Sequence, residues 1–156
     1  MPKMLVITAD KCTGCRNCEL ACSLTKEGSF RPMASRVHVN TWEEEGVSVP
    51  MMCQHCADAP CIPVCAPHAM QRDGQTGWVQ LDQAKCIGCK MCVQACPFGN
   101  AVWDSWATKI LKCDYCGGDP ACAKSCPTQA ISWADDLVAV RARKRAFAEK
   151  FLQPLT

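Results

Sequence analysis

Cys86-Ile87-Gly88-Cys89-Lys90-Met91-Cys92-Val93-Gln94-Ala95-Cys96-Pro97 is the stretch whose reading decides the fold. Its four cysteines stand in the spacing C-x2-C-x2-C-x3-C, with a proline after the last. Three cysteines two residues apart wrap a tight loop, and Gly88 lets the backbone approach closely whatever they bind. The last cysteine, three residues on, opens a short helix that proline ends, and so points away from that loop. This is the ligand run of bacterial 4Fe-4S proteins, where three thiolates hold irons of one cube and the fourth ligates a neighbouring cube. Such runs work in pairs.

Working outward, the 16 cysteines of the 156-residue chain all fall into runs of this kind. Cys12, Cys15, Cys18 and Cys22 repeat the strict spacing. Cys53, Cys56, Cys61 and Cys65 read C-x2-C-x4-C-x3-C, and Cys113, Cys116, Cys122 and Cys126 read C-x2-C-x5-C-x3-C. The flanks repeat too. An Asp and a Lys lead into Cys12-Thr13-Gly14-Cys15 and into Cys86-Ile87-Gly88-Cys89. Cys65-Ala66-Pro67-His68-Ala69, Cys96-Pro97-Phe98-Gly99-Asn100 and Cys126-Pro127-Thr128-Gln129-Ala130 form one exit motif, from which Cys22-Ser23 departs. Strict and loosened runs alternate, the mark of a duplicated two-run unit.

Cysteine at this density belongs to disulfide scaffolds, zinc arrays or iron-sulfur proteins. Disulfides need an oxidising compartment, yet the eleven residues before Cys12 carry neither a basic nor an apolar leader region. The apolar runs are far shorter than the roughly 20 residues that cross a bilayer. The chain therefore reads as cytoplasmic, with reduced thiols that bind metal. Zinc is the serious alternative, but it needs two cysteines per knuckle and gives no reason for the third or for the x3 step. A formal charge of +2 provides no footprint for nucleic acid.

Spacing alone does not settle which runs pair. The 20 residues between Cys65 and Cys86 hold a hairpin-like stretch, Asp73 to Leu81, as expected inside one ferredoxin-type unit. Runs one and four would then close over runs two and three. The expected fold is α+β: two nested ferredoxin-like modules of short β-hairpins and short helices around four clusters, plus a C-terminal helix. The outer module takes residues 1–30 and 105–133, the inner module 31–104, and the helix 134–156.

Cys53-Gln54-His55-Cys56, Ala59-Pro60-Cys61, Cys86-Ile87-Gly88-Cys89, Ala95-Cys96-Pro97-Phe98-Gly99 and Lys112-Cys113-Asp114-Tyr115-Cys116 carry a family resemblance. From Cys12 to Trp133 the chain resembles the four-cluster iron-sulfur subunits of dimethyl sulfoxide reductase, formate dehydrogenase and related molybdenum or tungsten enzymes. Among these it is most similar to the compact polyferredoxin subunit of tungsten aldehyde oxidoreductase complexes, having no membrane-subunit docking tail. The resemblance implies one cluster on Cys12, Cys15, Cys18 and Cys126, and a second on Cys53, Cys56, Cys61 and Cys96. It implies a third on Cys86, Cys89, Cys92 and Cys65, and a fourth on Cys113, Cys116, Cys122 and Cys22.

The other segments read more plainly. Val37 to Trp42 and Val47 to Val49 flank an acidic turn, Glu43-Glu44-Glu45-Gly46, and suit a hairpin. Leu5 to Thr8 and Ala130 to Trp133 suit strands that pair if the nesting holds. His55 sits between two ligands, either as a donor to a cluster sulfur or as packing between modules. Trp42, Trp78, Trp103, Trp106 and Trp133 read as core filling. Asp135 to Gln153 reads as an amphipathic helix, begun by Asp135 and Asp136, with apolar Leu137, Val140, Phe147 and Phe151 and a basic set from Arg141 to Arg145. Contact with a partner subunit is its expected role.

A fully cysteine-ligated cluster leaves substrate no iron site, and no nucleotide-binding or catalytic motif stands out. The expected function is therefore an electron-transfer subunit, not itself an enzyme, in anaerobic metabolism. Its expected partners are a molybdenum or tungsten pterin catalytic subunit and a flavin subunit or ferredoxin. Self-association into longer wires, a free polyferredoxin shuttle and a zinc-bound interaction module are the competing readings.

Overall fold

The computed structural model describes residues 3–135 together with Arg141 and Lys144. In chain order it runs β1 (Lys3–Ile7), α1 (Asn17–Glu27), β2 (Val37–Trp42), β3 (Val47–Met52), β4 (Met70–Arg72), β5 (Val79–Leu81), α2 (Met91–Ala95), β6 (Ala101–Asp104), β7 (Lys109–Lys112), α3 (Ala121–Lys124) and β8 (Ile131–Asp135). Every sheet among the described residues is one antiparallel pair: β1 with β8, β2 with β3, β4 with β5 and β6 with β7. Among these residues no helix is long and apolar enough to cross a membrane.

Each element follows from local chemistry. Gly14 and Gly88 take the left-handed backbone at φ 68° and 69°, and Arg16 and Lys90 repeat it at 57° and 64° just before α1 and α2. The same kinks thus open both strict runs. α2 precedes Cys96 and does not open at that cysteine, as the spacing predicts: Pro97 holds the residue before it extended, Cys96 at ψ 112°, and so confines the helix to five residues. Ser23, in the place that proline takes elsewhere, lets α1 continue for 11 residues. Its hydroxyl donates to the Leu20 carbonyl at 3.0 Å and accepts the Arg31 N–H at 3.2 Å.

The strands expected near the two ends pair with each other. Lys3 pairs with Asp135, Ile7 with Ile131, and the Thr8 N–H donates to the Ala130 carbonyl at 2.8 Å. The acidic hairpin forms with Val37 opposite Met52 and Trp42 opposite Val47. Val37 and Val39 point inward beside buried Leu5, Cys18, Cys22, Met52, Cys53, Cys113, Tyr115, Cys122 and Ile131. A second buried group holds Ala59, Cys61, Cys65, Ala69, Met70, Val79, Cys92, Ala101 and Ile110. Runs one and four dominate the first group, and runs two and three the second.

Three further expectations need correction. Trp42 and Trp106 are 51% and 87% exposed, because each stands at a hairpin turn; only Trp78, Trp103 and Trp133 pack against the cores. Asp135 closes β8 opposite Lys3 and does not start a helix. The β6–β7 hairpin, Ala101 opposite Lys112 and Asp104 opposite Lys109, has no counterpart among the expected elements. Arg141 and Lys144 are helical and exposed. Leu137, Val140, Phe147, Phe151 and the other residues of the expected C-terminal helix lie outside the described residues.

Candidate iron-sulfur centres

All 16 cysteines are free thiols, and the fold gathers them across the runs. One cavity is ringed by Cys53, Cys56, Cys61 and Cys96, with Asn100, Val79 and Lys112 between them. Another is ringed by Cys65, Cys86, Cys89 and Cys92, with Ile87, Met70 and Ile110. Each set takes three thiols from one run and its fourth from the other. In the outer core Cys18 lies near Cys126 and Cys15, and Cys122 near Cys22 and Cys116.

Burial shapes the electrostatics. It pushes the Cys18 thiol up to about 12, helped by the Glu19 carboxylate. Burial also raises Cys122 to about 12 and Cys92 to about 11, each with neighbouring thiolates adding to the effect. Cys113 and Cys61 rise for the same first reason. Cys126 goes the other way. Its partial burial works upward, but the N–H groups of Ile131, Ala130 and Thr128 and the Thr128 hydroxyl draw it below the ordinary range.

Backbone N–H groups are aimed at other cysteine sulfurs. Met70 donates to Cys65 Sγ and Asn100 to Cys96 Sγ, both at 3.3 Å, as each chain leaves the exit motif. Cys22 has no such exit loop and receives the Arg36 N–H at 3.3 Å in its place. Cys53 Sγ accepts the His55 N–H at 3.4 Å and the Lys112 ammonium at 2.7 Å.

His55 resolves toward packing, with one polar atom to spare. Its ring centroid lies 3.9 Å from that of Tyr115, within an aromatic group that includes Trp78 and Trp133. Nδ1 accepts the Val79 N–H at 2.9 Å. Burial first, then the Lys112 charge, push its pKa down to about 3, so the neutral ring carries its proton on Nε2. That atom is buried and has no protein partner. Sequence reasoning missed Glu19 and Lys112 as functional side chains: buried Glu19 accepts the Val39 N–H at 2.6 Å and so ties α1 to β2.

The residues present fit iron-sulfur cubes. Two buried thiols in each ring, Cys53 and Cys61 in one and Cys65 and Cys92 in the other, are stable as thiolates only beside compensating cations, and the orphan His55 N–H is a donor suited to an inorganic sulfide. Among the described residues no three His, Cys, Asp or Glu side chains converge closely enough for a single metal ion. A cube needs no such convergence, because each thiolate binds a different iron and the sulfurs stand at its far corners.

Cysteines in four-ligand runs, ringed in fours around the two inner cavities on short hairpins and helices, define an iron-sulfur electron-transfer protein. Comparison with known proteins agrees. The chain belongs to the 4Fe-4S dicluster domain family, whose profile matches residues 45–136. It is 42% identical to the aliphatic sulfonate oxidoreductase polyferredoxin-like subunit of Pyrococcus furiosus, over 78% of this chain and 70% of that one. It is 35% identical to a subunit of the anaerobic dimethyl sulfoxide reductase of Escherichia coli, over 81% of this chain and 70% of that subunit. The fold resembles a component of the active site complex BamBC of benzoyl coenzyme A reductase, with a TM-score of 0.52 and 25% identity, covering 96% of this chain and 91% of that component.

Proposed function

We propose that the chain holds four 4Fe-4S clusters and relays electrons as a subunit of an oxidoreductase complex. The inner sites are Cys53, Cys56, Cys61 with Cys96, and Cys86, Cys89, Cys92 with Cys65. The two cavities, each ringed by one of these sets, are the observation that carries the reading. The outer sites are Cys12, Cys15, Cys18 with Cys126, and Cys113, Cys116, Cys122 with Cys22. The neighbours of Cys18 and of Cys122 support them. Residues 1–30 and 105–133 then form the outer module and residues 31–104 the inner one.

Contacts between sets support an order. Cys18 neighbours Cys122, Cys113 neighbours Cys53, and Cys61 neighbours Cys92. The sites so ordered run from that of Cys12, through those of Cys113 and Cys53, to that of Cys86. Cys15 and Cys89, one in each terminal set, are the two exposed cysteines. Electrons enter and leave there, one at a time, as bound clusters carry them. The protein's own work is to hold thiolates, exclude water and aim N–H groups at sulfur.

The names of the relatives, subunits of oxidoreductases, support a catalytic oxidoreductase partner. The motif resemblance drawn from the sequence extends this to a molybdenum or tungsten pterin subunit at one end, such as an aldehyde oxidoreductase, and a flavin subunit or ferredoxin at the other. Cysteine runs that bind metal through reduced thiolates support a cytoplasmic location. Anaerobic purification tests the whole. About sixteen irons and as much sulfide per chain are expected, with co-elution at a fixed ratio to a pterin enzyme. A colourless protein ends the cluster reading, and a coloured protein that always elutes alone makes it a diffusible carrier.

A further inference from the structure

Lys112 is the one buried lysine or arginine among the described residues. Its ammonium has three protons and three acceptors: Cys53 Sγ at 2.7 Å, the Val79 carbonyl at 3.2 Å and the Cys113 carbonyl at 3.3 Å. Two of these are neutral, so the anion that answers its charge is the Cys53 sulfur. A cation taken this far out of water costs several kcal/mol unless an anion meets it. The side chain also lines the cavity ringed by Cys53, Cys56, Cys61 and Cys96. Lysines elsewhere are spent differently: Lys90, beside the other inner cavity, is exposed and lies 4.4 Å over the Trp103 ring.

The duplicated sequence sharpens the contrast. One residue before Cys113 stands Lys112, and one residue before Cys53 stands Met52, which is fully enclosed and shares a core with Cys113. Lys112 reaches 59 residues back along the chain to the sulfur of run two. No charge returns from Met52. Two middle sites that duplication would leave alike are therefore made unlike by a single ammonium.

We propose that Lys112 is a redox-positioning residue that raises the reduction potential of the site formed by Cys53, Cys56, Cys61 and Cys96 above the value its ligands alone would set. The inference rests on the ligand assignment proposed above. Accepting an electron adds one negative charge to the site. A fixed cation at hydrogen-bond distance from a ligand sulfur, where the surroundings screen little, stabilises the reduced form more than the oxidised one. The electron then has a preferred resting place in the middle of the chain of sites.

The test is a redox titration of the anaerobically prepared protein followed by EPR, with iron counted in parallel. In Lys112→Met one of the four potentials is expected to fall by at least tenfold in its reduction equilibrium, about 59 mV for one electron, while the others move less. Lys112→Arg should restore most of it, which a merely structural role would not require. Four unmoved potentials in an iron-replete Lys112→Met protein overturn the proposal. Pulsed EPR of the unsubstituted protein grown with 15N-lysine covers a variant that fails to assemble. A lysine nitrogen coupled to one reduced cluster, and lost in Lys112→Arg, is expected; its absence overturns the proposal. Iron well short of about sixteen per unsubstituted chain overturns the ligand assignment itself, and that failure needs no variant to be seen.

Discussion

At Gly14 the φ of +68° alone would strain any side chain, and a Cβ there would meet Ser48 Oγ at 2.8 Å. Two costs therefore coincide in the loop between Cys12 and Cys15. Gly46, at φ +65°, has nothing within 4 Å and carries only the first. Gly46→Ala should cost about 1 kcal/mol, and Gly14→Ala about 2 kcal/mol or more. Thermal melts of the two iron-loaded variants measure the difference, and equal melting temperatures would show that Ser48 gives way freely. The sequence singles out Gly14 and Gly88 for close approach to a cofactor; the structure adds that each backs onto a hairpin residue, Ser48 or Trp103.

At the scale of elements, α1 is tied to the rest of the fold through Glu27. Its carboxylate takes the Arg36 guanidinium at 2.6 Å and the Lys109 ammonium at 2.8 Å, joining α1 to the approach of β2 and to β7. Desolvation works to raise the Glu27 pKa, but hydrogen bonds from Lys109 and Arg36 outweigh it and hold the group below its ordinary value. A carboxyl depressed in the folded state adds stability above the ordinary carboxylate range, and that stability is lost as pH falls through the folded value. Glu27→Gln should therefore cost about 1 kcal/mol at neutral pH, and the gap from the unsubstituted protein should narrow on acidification. Denaturant unfolding at a series of pH values reads this directly; a gap that widens toward acid would contradict it.

For the whole molecule, the metal is part of what holds the chain together. Cysteine makes up much of both cores, with Cys18, Cys22, Cys53, Cys113 and Cys122 in one and Cys61, Cys65 and Cys92 in the other. So many cysteines in so little aliphatic core make metal-binding free energy into folding free energy. Stripping the iron with a chelator and reductant should collapse far-UV circular dichroism together with the visible bands, and a native-like spectrum without iron would refute this. The amino-acid sequence by itself determined the grouping of the cysteines in runs, the acidic hairpin and the meeting of the two end strands, because cysteine spacing and alternation are short-range signals. It hid the β6–β7 hairpin, whose turn has neither Gly nor Pro: the Asp104 carboxylate gathers the Trp106 and Ala107 N–H groups, and Thr108 takes φ 48°. Only the tertiary structure brought Lys112 to Cys53, the Arg36 N–H to Cys22 and the two far-run thiols into the inner cavities. Those meetings join residues far apart along the chain, and no spacing along a dozen residues encodes them.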